Sequence, residues 1–184
     1  GTEEGISIYD GVQTKVYKPS EFHRQNANPI GNQTHFIAGD KDGNVFFDSD
    51  QSLIRYDIQT QKFSCLQKSN VYTVASIKGT IWVGIADSIL TWNPDKNDFD
   101  FVTRLENRNQ RATCLLEDSG GRYWIGTTDG LFRMNDDKSL TCMIMGEDIY
   151  DLYEDSKYNL WISIRMNGMY KRDVHGNFTR YRYD

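Results

Sequence analysis

The stretch Thr113-Cys114-Leu115-Leu116-Glu117-Asp118-Ser119-Gly120-Gly121-Arg122-Tyr123-Trp124-Ile125-Gly126-Thr127-Thr128-Asp129-Gly130-Leu131-Phe132-Arg133 decides the fold. It reads as an apolar strand, a polar turn, an aromatic-centred strand, a tight turn and the start of a third strand. Short apolar bursts closed by Asp, Ser, Gly or Asn mark strands joined by turns, and helical periodicity is nearly absent. The pattern predicts strands over 113–117, 123–127, 131–135 and 140–144. Ser-Gly-Gly and Asp-Gly would supply the left-handed turn positions between them.

Working outward, the same plan recurs. A later copy runs Ile149-Tyr150-Asp151-Leu152-Tyr153-Glu154-Asp155-Ser156, then Leu160-Trp161-Ile162-Ser163 and Asn167-Gly168-Met169-Tyr170. An earlier one, 74–98, carries Trp82-Val83-Gly84, and a more diverged one, 36–57, has Phe46 in the place of the Trp. The anchors Phe46, Trp82, Trp124 and Trp161 stand 36, 42 and 37 residues apart. Gly5-Ile6-Ser7-Ile8-Tyr9-Asp10, followed by Thr14-Lys15-Val16-Tyr17, resembles the second half of a further copy. A period near 40 with four short strands is the signature of a β-propeller blade. One such blade cannot bury both of its faces, so blades stack and the recurrent aromatic fills the gap between neighbours. The expected fold is all-β: a propeller segment of four full four-stranded blades plus a half blade, forming an incomplete ring. The expected divisions are 1–30 (half blade and connector), 31–69, 70–110, 111–147 and 148–184.

Composition narrows the function classes. A 184-residue chain is long enough to bury about 70% of its unfolded surface. Charged residues at 26% and apolar ones at 38% are ordinary for a globular protein. Net charge is −5, from 26 acids against 21 bases, which argues against a nucleic-acid partner held through phosphates. No stretch approaches the ~18 apolar residues of a membrane span, so no membrane contact is expected within the segment. Nor does the chain open on a basic-then-apolar signal sequence. Cys65, Cys114 and Cys142 are odd in number and lack a C-x-x-C pair, so they read as small core-filling thiols, with no zinc site.

The run Leu116-Glu117-Asp118-Ser119-Gly120-Gly121-Arg122-Tyr123-Trp124-Ile125-Gly126-Thr127-Thr128-Asp129-Gly130-Leu131 resembles the two-component regulator propeller repeat of bacterial hybrid sensor kinases. Tyr153-Glu154-Asp155-Ser156 and Trp161-Ile162 carry the same pattern. The chain departs from it where Phe46-Phe47-Asp48 lacks the Trp and Gly, where Ser163 replaces Gly, and where Ile85-Ala86-Asp87-Ser88 replaces Thr-x-x-Gly. The resemblance implies the periplasmic sensing region of a membrane-spanning histidine kinase, many of which govern the use of complex glycans. It implies a non-enzymatic role, an oligosaccharide ligand, and further blades of the parent receptor or a second chain at the open blade faces. A free-standing protein-interaction scaffold is the alternative.

Catalytic signatures are weak. There is no Gly-x-Ser-x-Gly, His-Glu-x-x-His or phosphate-cradling loop, and no cofactor is expected. Glu117-Asp118 and Glu154-Asp155 share one repeat position and read as turn formers. Asp40-Lys41-Asp42-Gly43-Asn44 with Asp48 superficially resembles a calcium loop, but its glycine is fourth and Gln51 stands where Glu is wanted, so turn chemistry is expected. Two loops break the repeat on the end where propellers usually bind. The connection 104–111 is long and rich in forked donors, and Arg165-Met166-Asn167 has one residue more than Thr128-Asp129. Candidate ligand-binding residues are therefore Arg108, Asn109, Arg111, Asp129, Arg165 and Asn167, with no catalytic or metal-ligating residue.

Overall fold

The computed structural model describes residues 6–9, 11–17, 34–67 and 70–182; Pro19, His23, Pro29 and the expected connector around them lie outside the described residues. Every regular element among the described residues is a β-strand. Strands β1 (Ile6–Tyr9) and β2 (Thr14–Tyr17) form a hairpin, and the rest make four antiparallel four-stranded sheets paired in chain order. The first sheet is β3 (Ile37–Gly39), β4 (Val45–Ser49), β5 (Ser52–Asp57) and β6 (Lys62–Gln67). The second is β7 (Val71–Ile77), β8 (Thr80–Ile85), β9 (Ser88–Asn93) and β10 (Asp98–Arg104). The third is β11 (Ala112–Glu117), β12 (Tyr123–Thr127), β13 (Gly130–Met134) and β14 (Leu140–Met145). The fourth is β15 (Ile149–Glu154), β16 (Leu160–Ile164), β17 (Met169–Arg172) and β18 (Phe178–Tyr181). The chain divides into two compact units, Gly1–Val83 with Thr91–Phe99, and Gly84–Leu90 with Asp100–Asp184.

Within the first unit, the hairpin lays Ile6, Ile8 and Tyr17 on Phe47, Ile54, Tyr56 and Phe63 of the first sheet. The rings of Tyr17 and Tyr56 stand 4.9 and 4.8 Å from that of Phe63. On the other face of the same sheet Phe46 is fully buried, its ring 5.7 Å from that of Trp92, as the aromatic anchor position requires. A phenyl ring fills the space of an indole there without bringing an N–H that would need an acceptor.

Within the second unit, one core joins the third and fourth sheets through Cys114, Trp124, Leu131, Ile149, Leu152, Leu160, Ile162 and Ile164. Trp124 is 1% exposed. Its neighbour Gly126 explains the Trp-Ile-Gly run: a Cβ there would collide with Cys114 Sγ and lie 2.7 Å from Ile149 Cγ2. The sheets approach too closely for any side chain. Burial pushes the Cys114 thiol up to about 12, the behaviour of a core filler. Cys65 is half-buried at the edge of the first core, but Cys142 is exposed, because β14 is an edge strand of its sheet; the core-filler expectation fails for that residue.

The β11–β12 turn shows why the Asp of each Glu-Asp pair is a turn former. Asp118 Oδ1 accepts the Gly120 and Arg122 backbone N–H groups at 3.0 Å each, while Oδ2 accepts Arg122 Nε at 2.7 Å and the Trp124 indole at 2.8 Å. Gly121 completes the turn at φ +77. Asp155 repeats the arrangement, accepting Lys157 and Asn159 N–H groups and the Trp161 indole at 2.8 Å. Desolvation opposes the charged form of Asp118, but donation from Trp124 and Arg122 outweighs it and holds the carboxyl below the usual range.

Two outcomes follow. Gly126→Ala lowers unfolding free energy by about 1–3 kcal/mol through overpacking, whereas Ser163→Ala at the matching position of the half-buried fourth-sheet face stays within about 0.5 kcal/mol; denaturant unfolding measures both. Because the folded Asp118 carboxyl titrates below its unfolded value of about 3.9, its stabilisation is complete above that pH and is lost as pH falls through the folded value. Asp118→Asn therefore costs about 1–3 kcal/mol at pH 7, and the difference from wild type shrinks below about pH 4, read from unfolding midpoints across pH.

Candidate functional site

Antiparallel strands taken in chain order send alternate connections to opposite ends of each sheet. In the second unit one end carries the 105–111 connection, the Thr128–Asp129 turn, the 146–148 connection and the 165–168 turn. The first of these is tethered from inside: Leu105 is buried and its N–H donates to Asp87 O at 2.8 Å, and Gln110 is buried with its N–H on Asn107 O at 2.9 Å. Between these anchors Arg108 and Asn109 are exposed at the tip, shaped by the Asn109 N–H on Asn107 Oδ1.

The structure gathers four of the six candidate residues into two adjoining groups. Arg111 and Thr128 exchange bonds, Thr128 N–H donating to Arg111 O at 3.1 Å and Arg111 N–H to Thr128 Oγ1 at 3.3 Å. The neighbouring Asp129 accepts the Gly146 N–H on its carbonyl, which draws in the 146–148 connection. There Asp148 accepts Arg165 Nε at 3.0 Å on Oδ2 and the Arg165 backbone N–H at 2.8 Å on its carbonyl. Asn167 donates through Nδ2 to Glu147 Oε2 at 3.2 Å. Arg108 and Asn109 make no side-chain bond to either group.

Three participants escaped the sequence reading. Tyr150 is 57% exposed and lies under the Arg165 guanidinium, 5.0 Å from ring centre to Cζ. Glu147 is held by Arg180 Nη1 at 2.8 Å, and Arg180 also donates to Tyr170 OH at 2.9 Å. Asp148 retains one buried oxygen, Oδ1, without a partner. The available signal was the alternation in Asp148-Ile149-Tyr150, which turns Tyr150 outward when Ile149 points to the core. The assembled surface sets an exposed aromatic face, a guanidinium, an amide and carboxylates side by side.

Elsewhere, the run that suggested calcium is committed to other bonds. Asp40 accepts the Asp42 and Asn44 N–H groups and Asn44 Nδ2, while Asp48 accepts the His35 and Phe36 N–H groups and pairs with His35 Nδ1 at 3.0 Å. Among the described residues no three His, Cys, Asp or Glu side chains are grouped to hold a metal ion. No helix among them is long and apolar enough to cross a membrane.

Comparison with known proteins places this geometry. Residues 108–129, within the copy that carries the resemblance, match the family model described as two component regulator propeller. Two extracellular domains assigned to hybrid two component systems of B. thetaiotaomicron are similar in structure. One has a TM-score of 0.77 at 19% identity over 100% of this chain, the other 0.75 at 20% over 98%. The chain spans about a quarter (26%) of the length of each. Virginiamycin B lyase from Staphylococcus aureus is similar at a TM-score of 0.66 and 16% identity, over 84% of this chain and 58% of the lyase. At these identities the likeness establishes the propeller fold. No curated protein matches the chain.

Proposed function

We propose that the chain is part of the signal-receiving, periplasmic region of a two-component sensor, binding an oligosaccharide without transforming it. The observation that carries the sensor reading is the two component regulator propeller repeat at 108–129, set in sheets that superpose on two extracellular sensor-system domains. The ligand surface is the end bearing Arg111, Asp129, Arg165 and Asn167, with Arg108 and Asn109 at its margin. Tyr150 gives a pyranose ring an apolar face to lie on, and the flanking amide and guanidinium groups pair with its hydroxyls. Of the described histidines, His35 pairs with Asp48 and His175 lies in the β17–β18 turn, at the end of its sheet opposite that surface.

A second reading, an interaction scaffold, is favoured by the outward face of the fourth sheet. Tyr153, Trp161, Lys171 and Thr179 stand in one cross-strand row there, matching Leu116, Trp124, Arg133 and Thr141 of the third sheet. The third-sheet row is the one covered by the fourth sheet, whereas Tyr153 is 64% exposed and Trp161 only half-buried. Such a face fits a further blade of a longer chain or a second chain.

Calorimetric titration of the chain with a panel of plant and host oligosaccharides distinguishes the two readings. One glycan class binds and is recovered unchanged by mass spectrometry, and Arg165→Ala and Tyr150→Ala each weaken binding at least about tenfold. Absence of binding by every glycan, together with association of the chain that Tyr153→Lys abolishes, would establish the scaffold instead.

A further inference from the structure

We propose that Arg122, Arg133 and Arg172 form a binding site for a tetrahedral oxyanion, a sulfate or phosphate group, at the β11–β12 turn end of the third and fourth sheets. This is the end opposite the candidate ligand surface, and the inference is independent of the reading given for that surface. Two of the three arginines border the Trp124 indole and the third stands on the paired strand. Arg122 Nε and Trp124 Nε1 both donate to Asp118 Oδ2, at 2.7 and 2.8 Å. Arg133 stands directly across the strand pair from Trp124. Arg172 reaches over from the fourth sheet, its Cζ 5.3 Å from the Trp124 ring centre.

Their charge is only partly met. Neither Arg133 nor Arg172 has a carboxylate partner among the described residues; the one bond Arg172 makes, Nη1 to Asp173 O, is long at 3.4 Å, and its Nε is buried without an acceptor. A ring contact consumes no N–H donor. Of the carboxylates on the surrounding turns, Asp118 is engaged by the indole and Arg122, Asp173 by the His175 and Asn177 N–H groups, and Glu154 by Ser119 N–H and Oγ, while Asp118 and Asp173 also attract Arg172 across space. Arg172 has its proton affinity lowered, by desolvation first and then by Arg122, with Asp118 opposing, Arg133 adding and Asp173 opposing. A doubly charged oxyanion is the ligand that relieves both deficits, since guanidinium forks match its oxygens two at a time.

Room exists for it. Gly176 and Gly120 face this cluster, and a Cβ on either would stand 3.1 Å from Arg172 Nη2 or 3.3 Å from Arg122 Nη2. Both turns therefore present backbone beside a guanidinium where any larger residue would crowd it.

The test is a titration of the ¹⁵N-labelled chain with sodium sulfate, and separately with sodium phosphate, at ionic strength held constant with sodium chloride. The Trp124 indole and the arginine Nε–H resonances report it. The expected result is a saturable shift with one or both oxyanions and none with chloride, weakened at least about tenfold in Arg133→Gln and in Arg172→Gln. The stronger of the two anions identifies the group. Shifts that never saturate, or binding unchanged in both variants, would overturn the proposal. Should Arg172→Gln lose the fold along with its ring contact, Arg133→Gln decides alone, because that side chain makes no hydrogen bond among the described residues.

Discussion

The buried indole of Trp124 brings into the space between two sheets an N–H that water cannot reach, and much of the second unit is arranged around satisfying it. An unpaired donor at that depth would cost about 1–3 kcal/mol. Asp118 supplies the acceptor at 2.8 Å, and a carboxylate placed there must itself be compensated. The turn does this with two backbone N–H groups and Arg122, so the same four bonds that satisfy the indole also fix the turn and hence the register of β11 on β12. Where the anchor is Phe46 the demand vanishes. Asp40 keeps its turn bonds but fills the vacant acceptor with Asn44 Nδ2. The fourth sheet uses both, Asn159 and the Trp161 indole converging on Asp155.

That coupling explains how much of the fold was legible. The third-sheet strands fall within one residue of their expected bounds, because Asp118, Gly121 and Gly130 mark the turns by residue types with narrow conformational roles. The diverged first sheet was legible for the same reason, Asp40 and Asn44 keeping the turn although the Trp is gone. Burial was less legible. Trp124 and Trp161 occupy one repeat position, yet one is buried and the other half-exposed, since burial depends on what covers the face and not on the residue. Cys142 misled for a related reason: residue type alone suggests a core thiol, but it stands on an edge strand.

The candidate ligand surface was legible only as loops that break the repeat. Length and donor content single out 104–111 and 165–167, but the pairing of Arg165 with Asp148, and of Asn167 with Glu147, depends on a neighbouring connection that looks ordinary in sequence. Arg108 and Asn109 show the converse: residues flagged by composition whose side chains join nothing at that end.

The two ends of these sheets obey different constraints, and that division of labour bears on function. The β11–β12 and β15–β16 turns, like the β17–β18 turn at Asp173, each close on one carboxylate that collects two or more N–H groups, leaving little freedom of sequence. At the opposite end the turns need no indole acceptor, and their sequences drift accordingly. Ala86 and Met166 take left-handed backbone there at φ 52 and 59, as Tyr158 and Lys138 do at φ 64 and 69 on the carboxylate-tied end, so the two ends differ in their bonding and not in backbone strain. Exposed turns on a rigid frame are where residues change without endangering the fold. The carboxylate-tied turns supply that frame, since each fixes the register of its own strand pair and leaves the opposite end of the third and fourth sheets free to vary in loop length.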